Sequence, residues 1–290
     1  MIYPFANTCP EFETTMLSCD LGDGYAMPFI AVGSGPLLVL VHGSMGDFRN
    51  WTPVLGPLSQ RYRVLVPSLR HCFPGRWTTG GDYTIARHTA DVIAFLERQQ
   101  QRVHLVGHSR GGHIGFRVAE QRPDLLASLI LAEPGGDLDG TLMPENEPHL
   151  PPQRDTFVAV AAEIAAGRID KGLELFINAI DGAGEWDKKP AVDRQELRDN
   201  AATLIGQLDE RRLPYSRASV AAITTPTLLI QGARTKPASA RTVRVLAEHI
   251  TGARRSVIPD ATHPMFRQDP VGFSQAVQMF VDDVIAMGRA

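Results

Sequence analysis

Short apolar runs recur along the chain, most of them stopped by a glycine, a proline or an acidic residue. LLVLVHG (37–43), YRVLVPS (62–68), VHLVGHS (103–109), LASLILAEP (126–134), TPTLLIQG (225–232) and RRSVIPD (254–260) read as successive strands. Their apolar continuity suits strands covered on both faces rather than strands with one wet side. Ahead of them, FETTMLSCD (12–20) and AMPFIAV (26–32), divided by GDG at 22–24, predict an antiparallel hairpin. Helix-like segments fill the gaps: Thr84 to Gln99, Gly111 to Gln121, Ala238 to His249 and Pro270 to Met287. Strands alternating with helices predict a parallel sheet joined by crossover helices.

The alternation breaks once, between Pro134 and Pro226. That stretch opens with the proline-rich PENEPHLPP (144–152) and continues with helix-like segments near 153–166, 168–180 and 190–208, with no convincing strand. The expected architecture is therefore α/β: a mostly parallel eight-stranded sheet with helices on both faces. The core would comprise residues 1–134 and 226–290, and a helical cap, 135–225, would be inserted after strand six.

Composition changes this picture little. With 43% hydrophobic and 21% charged residues, 26 glycines and 21 prolines, the 290-residue chain reads as an ordinary globular protein rich in tight turns. A formal net charge of −3 provides no basic field for nucleic acid or anionic lipid, and the pairs Arg211-Arg212 and Arg254-Arg255 read as solvated faces. Cys9, Cys19 and Cys72 have no CxxC spacing, which fits a reduced compartment. The N-terminus lacks a charged region followed by an apolar one, and no apolar stretch reaches a membrane-spanning length of about 18 residues. These features lead to the expectation of a soluble cytoplasmic protein with no membrane or nucleic-acid partner; a homodimer is left open.

The chemistry concentrates at Gly107-His108-Ser109-Arg110-Gly111, a G-x-S-x-G that follows a strand and precedes a helix. A turn this sharp forces the serine into a strained conformation and lifts its hydroxyl, while the glycines let strand and helix approach. The backbone N–H of Arg110 would face the helix N-terminal end, where developing negative charge is favoured. A second donor is expected from the backbone N–H of Ser44, in the loop HGSMGDFRNW (42–51). His42 reads as structural there.

A serine hydroxyl needs an imidazole to take its proton. Of the nine histidines, only His263 lies in a late strand-to-helix loop. His71, His88, His104, His113, His149 and His249 read as surface or structural, and His108 as packed within the elbow.

These three segments, HGSMGDFRNW, GHSRGG and IPDATHPMFRQDPVGF, resemble in order the oxyanion loop, nucleophile elbow and histidine loop of the α/β-hydrolase superfamily. The resemblance covers the chain from about residue 25 to the end, and it implies a capped hydrolase fold. It also implies a carboxylate in a Gly-x-x-Asp arrangement after the post-cap strand, where this chain has Thr235. Some members, among them certain haloalkane dehalogenases and zearalenone-lactonase-like hydrolases, draw their acid from the end of the preceding strand. Glu133 stands there, so two readings compete: catalytic acid or loop cap, with the catalytic one favoured because a buried strand end leaves an unpartnered carboxylate costly. Asp137 and Asp139 are weaker candidates, and Asp260 reads as shaping the turn before His263.

Relatives that open epoxides or displace halide use an aspartate nucleophile; Ser109 points instead to acyl transfer on an ester or lactone. Two alternatives stand: a carbon–carbon bond hydrolase or lyase with the same triad, and a non-catalytic ligand-binding member, for which Thr235 argues. No cofactor or metal is expected, since neither a phosphate loop nor a ligand cluster is visible. Phe157, Phe176, Ile177, Ile180 and Trp186 could line a pocket or fill a core, and Arg70, His71, Phe73 and Trp77 are equally ambiguous.

Overall fold

The structure, a computed structural model, describes residues 15–144, 154–208 and 210–288. Cys9, His149 and most of the proline-rich stretch lie outside them. Eight strands form one sheet: β1 Leu17–Asp20, β2 Ala26–Val32, β3 Leu37–Val41, β4 Arg63–Pro67, β5 Val103–His108, β6 Leu126–Ala132, β7 Thr227–Gly232 and β8 Arg254–Ile258. Their spatial order is β1-β2-β4-β3-β5-β6-β7-β8. β2 pairs antiparallel with both of its neighbours, β1 and β4, and every other pairing is parallel. The mostly parallel eight-stranded sheet expected from the apolar runs is thus the observed one.

The doubly apolar runs are explained by the two layers that cover the sheet. On one face Val39, Val41, Leu105, Leu129 and Leu131 pack against α2 (Ile85–Glu97), α3 (Arg110–Gln121) and α10 (Pro237–His249). On the other, Leu38, Leu40, Val106, Ile130 and Ile230 pack against α1 (Thr52–Ser59) and α12 (Pro270–Met287). Adjacent residues on one strand serve opposite layers, as the two-residue period of a strand requires.

The sequence pattern misses α1, because TPVLGPLS carries two prolines and a glycine. It is helical nonetheless: Pro53 falls in the first turn, where its missing N–H costs nothing, and Val54, Leu55 and Leu58 bury one face in the α12 layer. The expected 270–287 helix begins at Pro270 with Asp269 as N-cap, its carboxylate accepting from Gly272 N.

Between β6 and β7 lie α4 (Arg154–Ala165), α5 (Ile169–Ile180), α6 (Glu185–Lys188), α7 (Ala191–Asn200), α8 (Thr203–Gln207) and α9 (Arg217–Ala221). The single segment expected over 190–208 is two helices, one ending at Asn200 and the next starting at Thr203. Val160, Ile164, Leu173, Phe176, Ile177, Trp186 and Leu204 form a third apolar cluster. Of the ambiguous cap residues, Phe176, Ile177 and Trp186 therefore fill a core, with Phe157 and Ile180 partly buried at its margin. Leu142, Tyr215, Val220 and Ile223, near the two ends of the insertion, pack into the α2–α3–α10 layer. α11 (Met265–Gln268) completes the chain order.

Candidate active site

β5 ends at His108 and α3 starts at Arg110, leaving Ser109 to turn the chain alone at φ 52° and ψ −115°. A non-glycine residue at positive φ is strained, by about 1–3 kcal/mol, and persists only where its surroundings impose it. The imposing contacts are visible at the glycines. A side-chain carbon on Gly107 would stand 2.3 Å from the Gly111 carbonyl oxygen, and one on Gly111 would stand 2.2 Å from that of Val41. Ser109 N donates to Ala132 O at 3.0 Å, fixing the elbow to β6, and the residue remains partly exposed.

The neighbouring strand turns under similar constraint. Glu133, just past β6, has φ 40° and is buried to 1% exposure. Its carboxylate accepts three hydrogen bonds. Gly232 N donates to Oε1 at 2.9 Å, Thr235 Oγ1 donates to Oε2 at 2.7 Å, and His263 Nδ1 donates to Oε2 at 2.7 Å. A carboxylate is an acceptor, so the neutral imidazole carries its hydrogen on Nδ1 and presents the lone pair of Nε2. Among the described residues the carboxylate bonded to His263 is Glu133. Asp137 is exposed, Asp139 accepts from Thr141 N in its own turn, and Asp260 occupies a positive-φ turn position at 55°. Thr235, at the position where the family resemblance implies a carboxylate, donates to the same Glu133 oxygen that His263 bonds.

His263 is brought to the elbow by His108. The two rings lie 4.6 Å apart, and His108 Nε2 donates to the His263 carbonyl at 3.1 Å. Burial, with the neighbouring His263 next, pushes the His108 pKa well below the usual imidazole range. Its ring is thus a neutral packing element, as expected. Trp51 and Phe266 stack edge-on against it.

The HGSMG loop reaches the same rim. A side-chain carbon on Gly43 would fall 3.1 Å from both Ser109 Cβ and His108 Nδ1, so any larger residue would press on the elbow and glycine eases the loop's close approach. His42 is fully buried; Nδ1 donates to Gly43 O at 2.8 Å and Nε2 accepts from Leu69 N at 3.0 Å. Burial lowers its pKa to about 4, which keeps this two-sided tautomer, and His42 is structural. Ser44 N–H donates to no acceptor among the described residues, and Arg110 N opens α3 where no carbonyl four residues back lies within the helix.

Both residues expected to supply those amides are anchored by their side chains to the insertion. Ser44 Oγ donates to Gln207 Oε1 at 2.8 Å. Arg110, fully buried, donates from Nη1 to Glu210 Oε2 at 2.6 Å and from Nη2 to Tyr83 O at 2.8 Å, and it lies 4.3 Å over the Tyr83 ring. His88, kept uncharged by burial and by Arg110, offers Nδ1 to the same guanidinium at 3.2 Å. Burial opposes the charge on Glu210, yet Arg110 and Arg212 hold its carboxyl below the usual range. Met45 of the loop, at φ 57°, is buried in the insertion's apolar cluster.

The sequence reading missed Gln207, Glu210 and Asn200. Asn200 Nδ2 donates to Asp47 Oδ2 at 2.7 Å and its Oδ1 accepts from Phe73 N at 2.8 Å, tying α7 to two rim loops. The ambiguous loop residue Trp77 packs on Gly206 of α8, so it too seats the insertion. The Arg70 side chain instead pairs with Asp91 at 2.8 Å. The described residues include no group of side chains suited to a metal ion.

A family model described as "Alpha/beta hydrolase family" matches residues 38–276, which span every rim segment described above. The chain belongs to the α/β-hydrolase family. Its sequence is 26% identical to 2-(acetamidomethylene)succinate hydrolase of Mesorhizobium japonicum over 273 residues, covering 86% of this chain and 89% of that one. A hydrolase from Pseudomonas aeruginosa superposes with a TM-score of 0.70 at 25% identity, over 93% of this chain and 99% of that one. The enol-lactonase of Burkholderia xenovorans superposes with a TM-score of 0.72 at 21% identity, over 90% of this chain and 98% of that one, a likeness of fold. As in the sequence, no helix among the described residues of this α/β-hydrolase is long and apolar enough to cross a membrane.

Proposed function

We propose that this α/β-hydrolase cleaves a carboxylic ester or lactone through an acyl-enzyme, with Ser109 as nucleophile, His263 as general base and Glu133 as the acid. The observation that carries the reading is the 2.7 Å bond from His263 Nδ1 to Glu133 Oε2, made beside a serine held at φ 52°. The bond fixes the tautomer in which Nε2 can accept a proton. Ser109 Oγ attacks the carbonyl carbon while its hydrogen passes to Nε2. The negative charge moves to the carbonyl oxygen, which receives N–H bonds from Ser44 and Arg110. Collapse expels the alkoxide, which takes the proton from Nε2. Water then repeats the sequence on the acyl-enzyme, its proton passing to Nε2 and back to Ser109 Oγ as the acid leaves.

Serine rather than aspartate at the elbow supports acyl transfer over halide displacement or epoxide opening, and a curated relative that is itself a hydrolase supports hydrolysis. The test is turnover of p-nitrophenyl acetate and butyrate together with covalent labelling by a fluorophosphonate. The expected outcome is turnover and a single label at Ser109, both lost in Ser109→Ala. No turnover across a wide panel of esters and lactones, with Ser109 unlabelled, would overturn the reading.

A further inference from the structure

We infer that Arg212 is a substrate-recognition residue, and that the ester or lactone cleaved here carries a carboxylate which this guanidinium binds. The inference rests on the hydrolase reading above and names its substrate class.

The position next to Gly135 places the side chain. A carbon built on Gly135 would lie 3.1 Å from Arg212 Nη1, 3.4 Å from the Ser109 carbonyl carbon and 3.5 Å from the Ser109 oxygen. Arg212 Nη1 and the nucleophile's own backbone therefore both border the space beside Gly135 that the absence of a side chain there leaves open. Its orientation is set from behind. Arg212 Nε donates to Glu210 Oε2 at 2.9 Å, and the same oxygen is gripped by the buried Arg110. Nη1 and Nη2 have no acceptor among the described residues. The side chain keeps 23% of its exposure, so the fork is reachable rather than sealed.

Charge points the same way. Arg110 and Arg212 share one carboxylate, Glu210, which among the described residues leaves two guanidinium charges on a single acid. Asp137, the nearby acid in the loop after β6, is exposed and does not pair with Arg212 among the described residues. A planar fork anchored through Nε and open at both terminal nitrogens matches a carboxylate with two parallel N–H···O bonds. Anchoring in advance also reduces the side-chain entropy lost on binding. The reading of Arg211-Arg212 as a solvated pair thus fits Arg211, which is exposed, and fails for Arg212.

The experiment compares kcat/KM for mono-p-nitrophenyl glutarate (anion on the acyl side) and 4-carboxyphenyl butyrate (anion on the leaving side) with that for p-nitrophenyl butyrate. The wild type is expected to prefer at least one anionic ester by about tenfold or more, the scale of a well-placed charge pair. Arg212→Met should remove that preference, Arg212→Lys should retain part of it, and high salt should shrink it in the wild type. Because the readout is a ratio within each variant, a partly unfolded preparation does not imitate the effect. An unchanged ratio in Arg212→Met, or a wild type that prefers the neutral ester over both anionic ones, would overturn the inference while leaving the hydrolase reading intact. Absence of turnover on all three, with Ser109 unlabelled, overturns both.

Discussion

The two sides of the rim are held in different ways. On the acid side, Glu133 is fixed by Gly232 N, Thr235 Oγ1 and His263 Nδ1, all from strand ends or loops of the sheet. On the oxyanion side, Ser44 and Arg110 are fixed by Gln207 and Glu210, which belong to the insertion and lie 163 and 100 residues away in sequence. In the proposed mechanism the proton relay is assembled from strand ends and loops of the sheet, whereas the two oxyanion donors carry side chains that also reach the insertion, Arg110 being held by Tyr83 and His88 of the core as well. On the proposed roles, loosening the insertion would release side-chain anchors of both oxyanion donors and leave the Glu133–His263 bond untouched.

The largest expected effect is Ser109→Ala, which should lower kcat by about 10⁶-fold, as loss of a triad nucleophile does. Next is Glu133→Gln. It keeps the shape but not the charge, and it should lower kcat by about 10³–10⁴ with an unchanged thermal midpoint, while Asp260→Asn leaves kcat unaltered. Near-normal turnover in Glu133→Gln would erase the acid side of the comparison. On the other side, Gln207→Ala combined with Glu210→Gln should cost about 10–100-fold in kcat on the neutral p-nitrophenyl butyrate, which makes no use of Arg212, with KM for that ester nearly constant, less than deleting a donor outright. A change confined to KM would mean that the insertion binds substrate without positioning the amides. Thr235→Val removes one of three hydrogen bonds to Glu133 and should cost about 1 kcal/mol of transition-state stabilisation.

The folded chain also buries uncharged histidines, which makes stability pH-dependent in a definite direction. Burial lowers His42 and His104 to about 4 and His113 to about 3, from a usual 6.5. Between those values the unfolded chain binds more protons than the folded one. The stability contributed is therefore complete above about pH 6.5 and declines as pH falls toward 4. Thermal melts over that interval should show Tm decreasing steadily; a flat profile would mean that these rings are solvated.

Much of this was legible from local pattern. The strands announced themselves because both of their faces are buried, and the elbow because its strand–turn–helix context and flanking glycines are contiguous. Glu133 could be inferred because the usual acid position holds Thr235, yet the role of that threonine could not: a hydroxyl reads as a vacancy until the glutamate it serves is seen beside it. α1 was hidden by Pro53 and Pro57, whose cost is outweighed by burial of Val54, Leu55 and Leu58. Gln207, Glu210 and Arg212 look like ordinary surface polar residues, because nothing local marks a partner a hundred residues away.

Met45 sits one residue past Ser44, yet its side chain is swallowed by the helices between β6 and β7. Lifting those helices would pull a thioether out of an apolar nest and drag the adjoining amide with it. In the proposed hydrolase, shifting those helices and misplacing the Ser44 amide would thus be one event rather than two.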